Sequence, residues 1–141
     1  MTAPPLLQRL NAITSVREVG QLQELEAAAR SIDSAALTES ECEAIYRLFE
    51  RFPDDDAFGG FFSLLHKLEA HNGYERELLI SVKRQATEFN IEMVARIIRG
   101  GTNVVNGTDL LSLLKHVAQS GTTLPNSRKY AAETLSQFQA P

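Results

Sequence analysis

The sequence contains one cysteine, no tryptophan and no long apolar run. Because Cys42 has no partner for an internal disulfide, cysteine usage favours a reducing, cytoplasmic setting. The stretch MTAPPLLQRLNAI lacks the basic and then apolar segments of a secretory signal. No apolar run approaches the roughly 18 residues that a membrane-spanning helix needs. We therefore expect a cytoplasmic protein that does not enter a membrane.

An excess of positive charge is also absent, because the chain has 14 Lys and Arg residues but 18 Asp and Glu residues, and its sequence pI is near 5.4. General binding to nucleic-acid phosphate needs a basic surface, so we expect no nucleic-acid partner. The remaining composition is ordinary, with 43% hydrophobic and 23% charged residues in 141. This length fits one domain, 1–141, with a buried core.

Negative charge is concentrated in the first half of the chain. Residues 1–72 carry six Lys/Arg and twelve Asp/Glu, whereas residues 73–141 carry eight and six. Eight of the acids lie between Asp33 and Asp56, against only Arg47 and Arg51. Apolar residues run through this segment at helical spacing, which predicts an acidic surface on a folded domain rather than a disordered tail.

Apolar residues recur at helical spacing along nearly the whole chain. Capping-box patterns at Ser15–Glu18 and Thr38–Glu41 predict the starts of a second and a third helix. Pro5 is expected to open a first helix, and Pro53 to end the third. A fourth helix is capped by one of Asp54, Asp55 or Asp56 and stops at Asn72-Gly73, and a fifth runs from Tyr74 to Glu88. A sixth is capped by Asn90 and ends at Arg99, a seventh runs from Asp109 to Gln119, and an eighth runs from Pro125 to about Phe138. No stretch alternates convincingly between apolar and polar residues, so no strand is predicted.

Short Gly, Pro and Asn turns between these segments predict antiparallel helical hairpins. The expected fold is therefore all-α, with about eight helices arranged as stacked pairs in a short HEAT-like α-solenoid. No sharp sequence repeat accompanies the hairpins, so an irregular helical bundle is the alternative.

The stretch PDDDAFGGFFSLLHKLEAH combines the start of a helix with residues that bind metals elsewhere. The apolar residues predicted on one buried face of the fourth helix are Phe58, Phe61, Phe62, Leu65 and Leu68. The glycines at 59 and 60 are expected to permit close approach of a neighbouring helix. The aspartates at 54–56 point in different directions, which favours helix capping and solvated charge, with a contact surface for a basic partner as the alternative.

His66, Glu69 and His71 come nearest to a metal cluster. Zinc hydrolases place two histidines at i and i+4 with a third ligand, whereas here the spacing is i, i+5 and no third ligand is evident. We therefore expect His66 and Glu69 to form a structural pair, and we predict no metal and no cofactor.

No nucleophile, base and orienting group can be assembled from the sequence. Cys42 lies on an apolar helix face, where a free cysteine behaves as a small hydrophobe. Gly100-Gly101 and Asn106-Gly107 match no phosphate-binding loop and are predicted as helix-ending turns. The pattern predicts a rigid helical scaffold that is not an enzyme and that binds proteins through an acidic surface.

The central segment resembles the small all-helical immunity proteins of bacterial polymorphic-toxin systems, in particular the immunity protein 30 type. The resemblance runs from IYRLFERFPDDDAFGGFFSLLHKLEAHNGYERELLISV through FNIEMVARIIRGG to DLLSLLKHVA. The matching positions are His66, Glu69, Tyr74, Arg96, Ile97 and Ile98.

This resemblance implies a protein that binds a cognate toxin domain in the cytoplasm and neutralises it by direct association. An acidic inhibitor face would suit the basic clefts of toxins that attack nucleic acid. The residues expected to form that face are Glu39, Glu43 and Glu50 on the exposed side of the third helix, Asp54, Asp55 and Asp56 at its end, and Tyr74 as an aromatic anchor.

Two alternatives stay open at this point. One is a helical adaptor that binds a peptide in a solenoid groove. The other is a metal-dependent enzyme that uses His66, Glu69, His71 and the aspartates.

Overall fold

The computed structural model describes residues 5–139, and over this range the chain is an all-α, irregular helical bundle. The helices are α1 (Leu6–Asn11), α2 (Val19–Ser31), α3 (Glu39–Arg51), α4 (Gly60–Glu69), α5 (Tyr74–Arg84), α6 (Glu88–Arg99), α7 (Leu110–Gln119) and α8 (Pro125–Gln139). The predicted fold class is confirmed. Within the described residues, no helix combines the length and the apolar character needed to cross a bilayer.

Most helices two positions apart along the chain pack side by side, with their axes in the same direction. Three of these pairs are each marked by two contacts that lie seven residues apart on both partners. Between α2 and α4, Leu25 contacts Gly60 and Ile32 contacts Lys67. Between α4 and α6, Phe62 contacts Phe89 and Glu69 contacts Arg96. Between α6 and α8, Glu92 contacts Tyr130 and Arg99 contacts Gln137. Parallel second neighbours are what a stack of antiparallel hairpins produces, so this arrangement agrees with the predicted hairpins.

The buried apolar residues form one connected cluster that extends from α1 to α8. Its centre is aromatic, since the Phe49 ring lies 5.0 Å from that of Phe61 and 5.5 Å from that of Phe89. The predicted inner face of α3 is confirmed, because Cys42, Ile45, Tyr46 and Phe49 are each at most 1% exposed. Helix α3 is therefore fixed in the core on one side, and its other residues contact α1, α5 or solvent.

The two capping boxes predicted near the amino terminus have different outcomes. Thr38 and Glu41 form theirs, with the Thr38 hydroxyl accepting the Glu41 amide and the Glu41 carboxylate accepting the Thr38 amide. The prediction at Ser15 is wrong, because α2 begins at Val19. The Ser15 hydroxyl instead accepts the amides of residues 17 and 18 in a bend. This bend turns Val16 into the core before the helix begins.

The boundary between the fifth and sixth helices was also misplaced. Helix α5 ends at Arg84 rather than Glu88, and the cap of α6 is Thr87 rather than Asn90. The Thr87 hydroxyl accepts the Asn90 amide at 3.1 Å, and the Asn90 side-chain oxygen accepts the Thr87 amide at 2.7 Å. Asn90 takes the place that Glu or Gln usually holds in a capping box, which explains why the motif was missed.

A short hairpin contradicts the prediction of no strand. Val104–Val105 (β1) and Thr108–Asp109 (β2) pair antiparallel around the turn Asn106-Gly107. Both turn residues have positive φ, 48° and 76°, as a two-residue hairpin turn of the primed type requires. Strands of two residues are too short to produce a visible alternation in the sequence.

The prediction that Phe58, Phe61 and Phe62 all lie on one buried face is wrong for two of the three. Phe61 is fully buried, but Phe58 is 68% exposed and Phe62 is 44% exposed. Helix α4 begins only at Gly60, after a 3₁₀ turn over Ala57–Gly59, so helical spacing does not extend back to residue 58. The close helix approach predicted for both glycines is confirmed at Gly60, where an added Cβ would lie 2.9 Å from Leu25 Cδ2 of α2. It is wrong at Gly59, where an added Cβ would meet no atom within 4 Å.

Candidate partner-binding surface

Glu50 does not lie on the exposed side of α3, and this part of the predicted face is wrong. Its side chain is 7% exposed and forms two hydrogen bonds with the Arg84 guanidinium, at 2.7 and 2.6 Å. The Ser81 hydroxyl donates a third, at 2.8 Å. The Glu50 carboxylate therefore holds α3 against α5 and is not available to a partner.

The same polar network continues into α6 and fixes the position of the acidic turn. Asn90 donates to the Ser81 hydroxyl at 3.0 Å and to the Gln85 carbonyl at 2.9 Å, and Gln85 donates to the Glu50 carbonyl at 2.7 Å. The amide of Glu88 lies 3.4 Å from the carbonyl of Pro53. The end of α3, the aspartates that follow it and the start of α6 are thereby held together.

One group of carboxylates lies where α3 and α5 meet, and we call Glu39, Glu43 and Glu77 the α3–α5 cluster. The pKa of Glu77 is raised, first by burial and then by the charge of Glu39, with a smaller effect from Glu43. Hydrogen bonding with the Glu39 carboxyl also raises the pKa of Glu77. Glu43 is 47% exposed and lies 3.5 Å from Arg47 and 3.7 Å from Arg84, so it is partly neutralised.

A second group lies at the other end of α3, and we call Asp54, Asp56 and Glu88 the turn cluster. The pKa of Glu88 is raised by partial desolvation and then by repulsion from Asp54, Asp56 and Glu92. All three members of the turn cluster are exposed. Within residues 5–139 no ion pair joins any of them to a cation. The turn cluster is therefore a site of uncompensated negative charge.

Asp55 differs from its two neighbours because both of its carboxylate oxygens are occupied. Oδ2 accepts from Arg17 Nε at 2.8 Å, and Oδ1 accepts from the Ala57 amide at 3.0 Å. Its side chain is only 17% exposed. Asp55 therefore holds the turn in shape rather than presenting charge.

Tyr74 lies away from the turn cluster, at the end of the bundle where α5 begins and α6 ends. It is half-buried, and its carbonyl accepts a hydrogen bond from the Tyr46 hydroxyl at 3.2 Å. With Glu69, Arg96 and Ile97 it lines an open cleft. The packing of α4, α5 and α6 brings these four residues together.

The three residues considered for metal binding do not converge on one point. Glu69 accepts two hydrogen bonds from Arg96, at 2.7 and 2.9 Å, and His66 Nδ1 lies 3.9 Å from Glu69. His71 Nδ1 lies 2.8 Å from the Ser34 carbonyl. Among the described residues, no group of three His, Cys, Asp or Glu side chains is placed to hold a metal ion. The predicted pairing of His66 with Glu69 is reduced to a proximity too long for a hydrogen bond, and Arg96 is the hydrogen-bonded partner of Glu69.

Cys42 is buried, as its helix face predicted. Burial raises the pKa of its thiol to about 11, and the carboxylates of Glu77, Glu41 and Glu39 act in the same direction. A thiol with so high a pKa is protonated at neutral pH, so it is a poor nucleophile.

Sequence reasoning missed Glu77, Glu88 and the exposure of Phe58. Glu77 joins the α3–α5 cluster only because α3 and α5 stack in parallel, and the order of stacking leaves no local pattern in the sequence. Glu88 approaches the aspartates because α6 begins at residue 88, two positions before the predicted cap. A signal was present there, since Thr87 and Asn90 have the spacing of a capping box.

The chain was compared with protein-family models, with curated proteins and with solved structures, and none of the three comparisons gave a match.

Proposed function

We propose that this protein is a bacterial immunity protein that binds a cognate toxin domain in the cytoplasm and neutralises it by direct association. The observation that carries the proposal is the uncompensated negative charge of the turn cluster, held on a rigid junction of α3, α5 and α6. The resemblance of the central segment to immunity proteins supports the same function.

The two groups of carboxylates are suited to attract a basic partner. Helix α3 has 13 residues, so at about 1.5 Å per residue the α3–α5 cluster and the turn cluster lie roughly 18 Å apart. That separation fits within one protein–protein interface of ordinary size. Exposed charges of one sign steer an oppositely charged protein and raise its association rate.

The clusters also reduce the stability of the protein that carries them. A raised carboxyl pKa means that the folded structure disfavours the charged form of Glu77 and of Glu88. A binding partner with cationic side chains would remove that repulsion. Complex formation would then be favoured by charges that are unfavourable in the free protein.

A second candidate function is that of a helical adaptor for a peptide. It is favoured by the groove between α5 and α7, which has a volume of about 240 Å³. Val82, Leu113, Val117 and Leu124 supply its apolar lining, and Lys83 and His116 are among its polar residues. An adaptor would bind through this groove and would not depend on the acidic clusters.

A survival experiment tests the proposal. The carboxy-terminal domain encoded by the adjacent upstream gene would be expressed in a heterologous bacterium with and without this protein. We expect death without the protein and survival with it, together with recovery of both chains in a pull-down. Two results would contradict the proposal: toxicity that this protein does not relieve, and no toxicity at all. Either result would favour the adaptor.

A further inference from the structure

The turn that precedes α4 holds a phenylalanine in a backbone conformation that such residues rarely adopt. Ala57 and Phe58 have φ of 53° and 52°, and Gly59 follows with φ of 91°. The left-handed region is unfavourable for residues other than glycine, and more so for a bulky one. Strain of this kind persists only where surrounding contacts enforce it, and it is concentrated at functional sites.

Three contacts enforce the conformation of this turn. The Asp55 carboxylate accepts the Ala57 amide, and the Asp56 carboxylate accepts the Phe58 amide, both at 3.0 Å. The Ala57 side chain is 2% exposed and anchors the turn in the core. With its backbone fixed in this way, Phe58 projects its side chain into solvent, where 68% of the residue is exposed.

The surroundings of Phe58 have the composition of a protein–protein interface. Phe62, in the first turn of α4, is 44% exposed and packs edge-on against Phe89 at 4.9 Å. The acidic turn cluster adjoins these aromatics, since Asp54 and Asp56 belong to the same loop and Glu88 is tied to it through Pro53. Binding energy in interfaces is concentrated in a few aromatic anchors, which charged residues surround.

The charge of the surroundings indicates which kind of partner fits. The Arg17 guanidinium of this chain lies over the Phe58 ring, 5.5 Å from its centre, in a cation–π contact. Arg17 is paired with Asp55, which leaves the negative charge of Asp54, Asp56 and Glu88 for groups outside this chain. A partner surface with Arg or Lys around an apolar recess complements this arrangement.

We propose that Phe58 is the anchor of the interface with the toxin domain, inserted into an apolar recess whose rim of Arg and Lys pairs with the turn cluster. The inference rests on the proposed function and assigns it one contact surface. Phe58 then takes the place of Tyr74 as the expected main aromatic contact, because Tyr74 lies near the end of α6 and the turn cluster lies at its start.

The test is a set of single substitutions measured for binding to the purified toxin domain. Phe58→Asn removes the ring, and asparagine tolerates the left-handed conformation better than phenylalanine does. We expect an unchanged or higher melting temperature and an affinity lowered by about 30-fold or more, the size of effect that a central aromatic residue produces. Phe58→Tyr keeps the ring and is expected to bind within about threefold of the unsubstituted protein.

Val104→Ala is the matched control, because Val104 is 59% exposed and lies in the hairpin beyond the far end of α6. It is expected to leave affinity and survival unchanged. If the unsubstituted protein binds and protects, and Phe58→Asn does so equally well, the anchor is refuted while the proposed function stands. If the unsubstituted protein neither binds nor protects, the proposed function fails and the toxin-domain contact fails with it.

Discussion

Individual carboxylates of this chain have opposite roles that depend on their neighbours. Glu43 and Glu50 both belong to α3, seven positions apart, and both approach Arg84. Glu50 is almost fully buried and accepts three hydrogen bonds, whereas Glu43 is half-exposed and pairs only at the surface. Burial and hydrogen-bond partners therefore separate a structural acid from one that a partner can reach.

Replacement of Glu50 should destabilise the fold strongly. Glu50→Ala leaves the Arg84 guanidinium and the Ser81 hydroxyl without their acceptor at a buried junction. We expect a loss of about 2–4 kcal/mol in the free energy of unfolding, measured by urea denaturation. Glu43→Ala is the matched control and should change stability by less than about 0.5 kcal/mol, because its ion pairs are exposed. A Glu50 variant as stable as the control would contradict the assigned role.

The raised pKa of Glu77 predicts that the stability of the folded protein depends on pH. Because its pKa is raised in the folded protein, first by burial and then by Glu39, the folded state binds this proton more tightly than the unfolded state does. The stability contributed by the group is present below the ordinary pKa of a glutamate and is lost as pH rises through the raised pKa. Glu77→Gln removes that loss and should be more stable than the unsubstituted protein at pH 7.

Unfolding curves at several pH values check this expectation. The difference between Glu77→Gln and the unsubstituted protein should shrink as the pH falls below the ordinary glutamate pKa. Glu133→Gln replaces an exposed acid of α8 and should give curves that match the unsubstituted protein at each pH. A Glu77 variant that is less stable at pH 7 would show that this carboxylate stabilises the fold.

At the scale of the element, the contact between α2 and α4 depends on the absence of a side chain at residue 60. A Cβ at Gly60 would lie 2.9 Å from Leu25 Cδ2, and because Leu25 is fully buried its side chain would have to shift within the core. Gly60→Ala gains helix propensity but overpacks this contact, so we expect a net loss of about 1–2 kcal/mol in thermal or urea unfolding. Gly121→Ala, which meets no atom within 4 Å, should have a small effect. Equal stability of the two variants would contradict the close packing.

Most elements could be predicted from the sequence because apolar spacing and caps are local signals. Thr38–Glu41 identified the start of α3, and Asp109 and Pro125 identified those of α7 and α8. The errors occurred where tertiary contacts override local preference. Ser15 lies in a bend that buries Val16, and the left-handed turn at 57–59 delays α4.

At the scale of the molecule, the candidate site could be predicted only in part. The sequence indicates an acidic first half and places the aspartates in a turn after α3. The parallel stacking of α3 and α5 decides that Glu50 points into the α3–α5 contact and that Glu77 joins Glu39. Such contacts join residues far apart in sequence, so periodicity within one helix cannot predict them.

For the whole molecule, the proposed function requires a basic partner to associate with the acidic clusters. The most direct test is the association rate constant with the toxin domain as a function of ionic strength. The rate should fall about tenfold between about 0.02 and 0.2 M salt. In a double variant with Asp54→Lys and Glu88→Lys, the rate constant should be lower at low salt and should depend less on salt. This variant leaves intact the Asp56 side chain that caps the turn.

Glu26→Lys with Glu133→Lys is the matched control, since it changes the net charge equally at exposed positions in α2 and α8. The association rate constant of this control should be closer to that of the unsubstituted protein than the rate constant of the Asp54 and Glu88 variant is. Its salt dependence should resemble that of the unsubstituted protein. A rate constant that is insensitive to salt and unaffected by charge reversal at Asp54 and Glu88 would contradict the claim.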